Sequence, residues 1–265
     1  MAKTTYEIVI IGLLAALAAV LQIYNGVIGI PVPFGMTVDL AAVPVLLALF
    51  LFGFESAAYV LILLTLIITL TAPTGWIGAS MKLTATIPMI AVPALYLIAA
   101  GKRQRFAALA LCALVLVALA SLFAGQAALA LHPPTYGPQK PMGQFDALVG
   151  LAPVAALVLA LYALVLLWRP RAARISLATL HDPLTAVALL VVAVVVRGIA
   201  TTISNYFFAV PLFLGMTSEQ AMAAFPPAFM FGFNALQGAV EFGIAWLVAY
   251  RFGLAARYGR EGRLQ

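Results

Sequence analysis

The sequence predicts an all-α polytopic membrane protein, a compact bundle of about eight transmembrane helices with both termini in the cytoplasm. Three observations carry this. Hydrophobic residues make up 65% of the 265 and charged residues 8%, against roughly 45–50% and about 25% in soluble domains. Mean hydropathy is +1.14, so lipid is the solvent for most of the chain. The basic residues also fall to one side when the apolar stretches are threaded in order.

Those stretches are 7–24, 37–53, 55–72, 78–100, 105–131, 147–168, 183–205 and 228–252, each near the roughly 17–25 residues that cross a bilayer. Lys3, Lys102, Arg103, Arg105, Arg169, Arg171, Arg174, Arg251, Arg257, Arg260 and Arg263 then share one side, with only Lys140 opposite. That bias places both ends inside. The net charge of +6 is thereby a topology signal and not a nucleic-acid footprint. The first stretch is too long for a signal peptide, and Glu7 lies just before its apolar run. Short turns at Gly53-Phe54-Glu55 and Ala72-Pro73-Thr74-Gly75 make spans two to four antiparallel neighbours. Spans 105–131 and 147–168 are bland, separated by the proline-rich loop from His132, and read as lipid-facing scaffold. The apolar segment 206–227 is either a loop packed over the mouth of the bundle or a seventh helix that ends late, near Gly215.

Polar side chains in lipid are costly and mark function or helix association. Asp39 opens span two at the outer face, Lys82 lies about one turn into span four, and Asn205 closes span seven. Asn234 and Gln237 lie about two turns into span eight. If their helices are neighbours, they converge on the outer half of the membrane. Asp39 either answers a helix dipole or meets a ligand. Lys82 either snorkels or meets a ligand. Asn234, Gln237 and Glu241 form one polar stripe. Arg197 and Glu241 sit at similar depth and are expected to form an ion pair between spans seven and eight. Trp76 and Tyr206 crowd the same end, as an interfacial belt or as a stacking wall for a flat ligand. In span one, Gly12 and Ala16, and Ala15 and Ala19, repeat at four residues and offer a smooth face for close helix approach, or chance spacing in an alanine-rich helix.

Catalysis finds little support. His132 and His181 fall on opposite sides, so they share no metal, and neither HExxH nor a nucleotide-binding G-x-x-x-x-G-K-[ST] occurs. Cys112 has no disulfide partner. No catalytic residue, metal or cofactor is expected.

Several segments together resemble the substrate-binding S components of energy-coupling factor (ECF) vitamin transporters, the riboflavin-type subfamily most of all. Thr37-Val-Asp-Leu-Ala-Ala-Val-Pro resembles the second-helix motif and Thr74-Gly-Trp-Ile-Gly the loop before the fourth helix. Asn205-Tyr-Phe-Phe-Ala-Val-Pro-Leu-Phe resembles the end of the penultimate helix, and Phe233-Asn-Ala-Leu-Gln-Gly the last one. Ala15-x-x-x-Ala19 resembles the first helix. The matches cover 7–100 and 183–252. The resemblance implies a single transmembrane domain over 1–265, a six-helix core with an inserted helical hairpin at 105–168, in the cell membrane. It implies uptake of a vitamin, riboflavin first, read by Asp39, Lys82, Asn205, Asn234 and Gln237 beside Trp76 and Tyr206. It implies docking of a transmembrane T subunit on Gly12, Ala15, Ala16 and Ala19, with two cytoplasmic ATPases as separate chains. Gln237 departs from an expected lysine, Lys82 from a nearby asparagine and Ala79 from a frequent glutamate. The other readings are a stand-alone carrier, an S component for another vitamin, and a membrane scaffold.

Overall fold

The computed structural model describes residues 4–32, 37–99 and 177–259. The expected hairpin at 105–168 and the loop with His132 and Lys140 lie outside the described residues. In chain order the elements are α1 (Thr5–Ile23), a helical turn α2 (Asn25–Ile28), strands β1 (Ile30–Pro31) and β2 (Thr37–Val38), α3 (Val43–Phe52), α4 (Phe54–Thr71) and α5 (Gly75–Ala99). After a 3-10 turn at Leu177–His181 come α6 (Pro183–Leu214), α7 (Ser218–Ala224), α8 (Pro227–Arg251) and α9 (Leu254–Tyr258). Among the described residues, α1, α4, α5, α6 and α8 are long and apolar enough to cross a membrane. The all-α membrane class follows.

Local chemistry sets the helix ends. Thr4 and Glu7 form a capping box that starts α1, satisfying two amides that the helix itself cannot. Asp182 accepts from the backbone N–H of Thr185 at 2.9 Å and from its hydroxyl at 2.6 Å. The Thr185 hydroxyl first, then its backbone N–H, holds the Asp182 carboxyl below its usual range. Pro183 occupies the first turn, where its missing N–H is no loss.

The helices close a ring: α3 packs on α4 and α8, α4 on α5, α5 on α6, and α6 on α8, while α1 leans on α3 and α4 from outside. Buried residues fill 78% of the α5 span but 28% of α1, so α5 is the innermost long helix and α1 the one most open to lipid. Phe50 of α3 meets Phe242 of α8 edge-on at 5.3 Å, a favourable aromatic geometry that ties the ring near one end.

Two expectations need correction. Span two is not a helix over 37–53. Its first two residues form β2, paired with β1 as Ile30 to Val38 and Pro31 to Thr37, and only the ten residues of α3 are helical. Ten residues rise about 15 Å, half the hydrocarbon thickness. All ten are buried, so α3 is a core helix shielded from lipid by its neighbours. The segment after Asn205 is helix, the late-ending alternative. A π-helical turn at Asn205–Ala209 carries α6 onward, with the Val210 N–H bonding the Asn205 carbonyl just before Pro211. A wider turn there relieves the proline ring of its clash with the preceding turn. The helix stops at Gly215, whose φ is +67°.

One glycine links α3 to α4. Gly53 has φ 92° and ψ −176°, a region essentially reserved for glycine, and a Cβ there meets open space. Only backbone strain is therefore at stake. Gly53→Ala is expected to cost about 1–3 kcal/mol, read as a lower thermal midpoint of the purified protein; an unchanged midpoint would show that the turn relaxes freely.

Candidate functional site

The inward faces of α5, α6 and α8 and the turn before α3 carry four charged side chains into the bundle. Asp39, just after β2, accepts the backbone N–H of Ala41 at 2.8 Å, so its carboxylate folds down over the start of α3. Lys82, about two turns into α5, places Nζ 2.7 Å from Asp39 Oδ1 and 3.1 Å from Glu241 Oε1. Arg197 of α6 donates from Nη1 to Glu241 Oε2 at 2.6 Å. Gln237, one turn before Glu241 on α8, donates from Nε2 to Glu241 Oε1 at 3.1 Å. Arg197 and Glu241 are fully buried, and Asp39 and Lys82 nearly so.

The arrangement is electrically closed. Two cations face two carboxylates, and every charge has an opposite partner within 3.1 Å. Isolated charges at this depth would be expensive, and complementary pairing is what makes burial tolerable. The network also explains why Lys82 does not snorkel. Its helix register turns it toward Glu241 and Asp39, and the inward ion pairs replace the water it would otherwise seek. Lys82 and Asp39 are thus ion-pair partners of one another.

Polar capacity remains beside the network. Among the described residues, Gln237 Oε1, Arg197 Nε and Nη2, and Thr86 Oγ1 are buried with no hydrogen-bond partner. Thr86 stands one turn after Lys82 on the inward face of α5, and its signal in the sequence was that four-residue spacing. Asn25, in α2, approaches Asp39 Oδ2 with Nδ2 at 3.5 Å; neither it nor Thr86 stood out in the sequence. Asn205 and Asn234 are buried nearer the hairpin end, each donating to its own helix: Asn205 to the Thr201 carbonyl at 2.8 Å, Asn234 to the Met230 carbonyl at 2.9 Å.

The two expected stacking groups are not brought together. Trp76 is half-buried and meets Phe208 edge-on at 5.6 Å, in a cluster with Met81 and Ala209. Tyr206 belongs to a separate cluster with Val32, Val210, Ala221 and Met230, and its hydroxyl donates to the Phe225 carbonyl. Successive residues of the π turn point to different sides of α6, so Phe208 follows Trp76 and Tyr206 does not. Tyr206 instead fastens the α7 segment over the end of α6.

The small-residue face of α1 divides. Ala15 is buried in the main core, Ala19 is half-buried, and Gly12 and Ala16 are exposed. A Cβ at Gly12 meets open space. Ala15 lies on the side of α1 that packs on α3 and α4.

No family model, no curated protein and no solved structure matches this chain. Among the described residues no group of three metal-ligating side chains stands together.

Proposed function

We propose that this chain is the substrate-binding membrane subunit of an ECF-type importer and that it takes up an uncharged, vitamin-like heteroaromatic solute, riboflavin first. The observation that carries the reading is the closed charge network with unsatisfied polar atoms beside it. Asp39 and Lys82 compensate one another and Glu241, so no unbalanced charge is left to attract a carboxylate or an amine. Gln237 Oε1 and Thr86 Oγ1 remain for hydrogen bonds, and a neutral polar ligand supplies these without adding charge to a low-dielectric interior.

On this reading the hairpin end faces outward, the arginine-rich ends face the cytoplasm, and a T subunit with two ATPases completes the transporter. Gly12 and Ala16 supply the open part of the docking face on α1. One rival has an observation in its favour: intramembrane carboxylates also serve proton-coupled carriers that work alone. Uptake that persists without any ATPase partner would select that rival.

Riboflavin titrated into detergent-purified protein is expected to bind near-stoichiometrically, read by loss of its fluorescence. Gln237→Leu is expected to weaken binding by about 1–3 kcal/mol. Tight binding of a charged solute, with riboflavin left free, would move the substrate to another class.

A further inference from the structure

The C-terminal end of α8, away from the charge network, carries a second group of cationic and aromatic side chains. The last turn of this helix, Leu247–Arg251, is a π turn, and the Phe252 N–H closes it on the Leu247 carbonyl at 3.0 Å. Residues five apart lie about 140° round a regular α-helix and do not meet. The wider turn brings the fifth residue back, and the Arg251 guanidinium stands 5.5 Å from the Trp246 ring centroid. At that distance the face of an indole attracts a cation. Wide turns of this kind occur frequently at functional sites.

The indole is itself held. Trp246 Nε1 donates to the Leu180 carbonyl at 2.8 Å, and Leu180 is fully buried. Tyr250 lies 6.0 Å from Trp246, ring to ring, and donates from its hydroxyl to the Leu177 carbonyl at 3.3 Å. His181 meets Tyr250 edge-on at 5.7 Å. The 3-10 turn before α6 is thus stapled to the end of α8, and Trp246 places Arg251 against it. Arg251 itself is exposed, as are Phe252, at 70%, and Arg257 of α9. Among the described residues neither arginine has a carboxylate partner. Asp182, the acidic group next to His181, is taken up by the backbone N–H and hydroxyl of Thr185.

Position decides what meets this surface. The 25 residues of α8 rise about 37 Å, against a hydrocarbon core of about 30 Å. Its last turn therefore reaches the headgroups, with the exposed ring of Phe252 at the boundary. An unpaired guanidinium there meets lipid phosphate, to which arginine can donate two parallel hydrogen bonds. A zwitterionic headgroup brings an ammonium of its own, which opposes that contact. An acidic headgroup does not.

We propose that Arg251, held on Trp246 and followed by Phe252, is a binding site for the phosphate of an acidic phospholipid. The site stands apart from the transport reading, since it serves a binding subunit, a lone carrier or a scaffold equally.

The full chain in an uncharged detergent is titrated with dioleoylphosphatidylglycerol or dioleoylphosphatidylcholine, and the thermal midpoint is followed. Phosphatidylglycerol is expected to raise the midpoint at least about 3 °C further than phosphatidylcholine, as a ligand that binds the folded state does. Arg251→Gln changes an exposed position, so it is expected to fold and to lose most of that difference. Arg257→Gln removes a charge from α9 without touching the indole and is expected to keep most of it. Equal midpoints in the two lipids overturn the proposal. A preference that survives Arg251→Gln, or that Arg257→Gln abolishes to the same extent, also overturns it, because the lipid then answers to another site or to diffuse charge. Uptake lost in Arg251→Gln cells, with no lipid preference in the parent, would overturn it in favour of a protein partner. Should Arg251→Gln not fold, Arg251→Lys keeps the charge and removes the paired donors; it is expected to lose part of the difference, and an undiminished difference counts against the site.

Discussion

Glu241→Ala is expected to destabilise the bundle by about 3–5 kcal/mol. Its carboxylate touches Lys82, Arg197 and Gln237 at once. Without it, two buried cations face the single carboxylate of Asp39, and Arg197 keeps no partner in the network. The expected readout is aggregation on size exclusion or a large fall in thermal midpoint. Adding Arg197→Leu to Glu241→Ala should recover much of the loss, because Lys82 and Asp39 then remain as a neutral pair. A Glu241→Ala protein as stable as the parent would mean that the network contributes nothing to holding α5, α6 and α8 together.

Ala16→Trp is expected to abolish uptake in cells while riboflavin binding by the purified subunit stays intact. Ala16 is exposed on α1 near Gly12, so an indole there is expected to meet no neighbour among the described residues and to block a helix that must come close. Ala15→Trp should behave differently. Ala15 is 6% exposed within the core, and overpacking typically costs about 1–3 kcal/mol or more, so this variant should lose stability as well as uptake. Normal uptake by Ala16→Trp would remove α1 from the docking role. Equal stability of the two variants would contradict the division of the helix into an inner and an outer side.

The sequence reached furthest where depth and periodicity act together. Arg197 and Glu241 were paired by depth alone, and the ion pair is present. Lys82 was harder, because depth permits both an outward snorkel and an inward partner, and only helix rotation chooses between them. Asp39 was read at a helix start, yet it sits below a hairpin and starts no long helix. Hydropathy cannot distinguish a ten-residue buried helix capped by a hairpin from a full span, since both are continuous apolar runs. Residue types place Trp76 and Tyr206 in one aromatic group; the π turn sends Tyr206 to one cluster and Phe208, the neighbour of Trp76, to another, and a wide turn leaves no mark on hydropathy. Ala15 and Ala16 are adjacent and chemically identical, and only the position of α3 and α4 tells packing from exposure. The neutralisation of Lys82 by Asp39 and Glu241 is not legible from residue types alone, because the network exists only after folding.

The charged residues of the network are synthesised in an order that separates each cation differently from its counter-ion. Asp39 and Lys82 are 43 positions apart in the first part of the chain and neutralise one another as soon as α5 is in place. Arg197 enters lipid before its partner in the finished bundle, at a cost of about 2.5–3.5 kcal/mol on insertion scales, and that counter-ion arrives 44 residues later. A nascent chain that stops before α8 therefore carries Arg197 without Glu241, the carboxylate that pairs with it in the finished bundle.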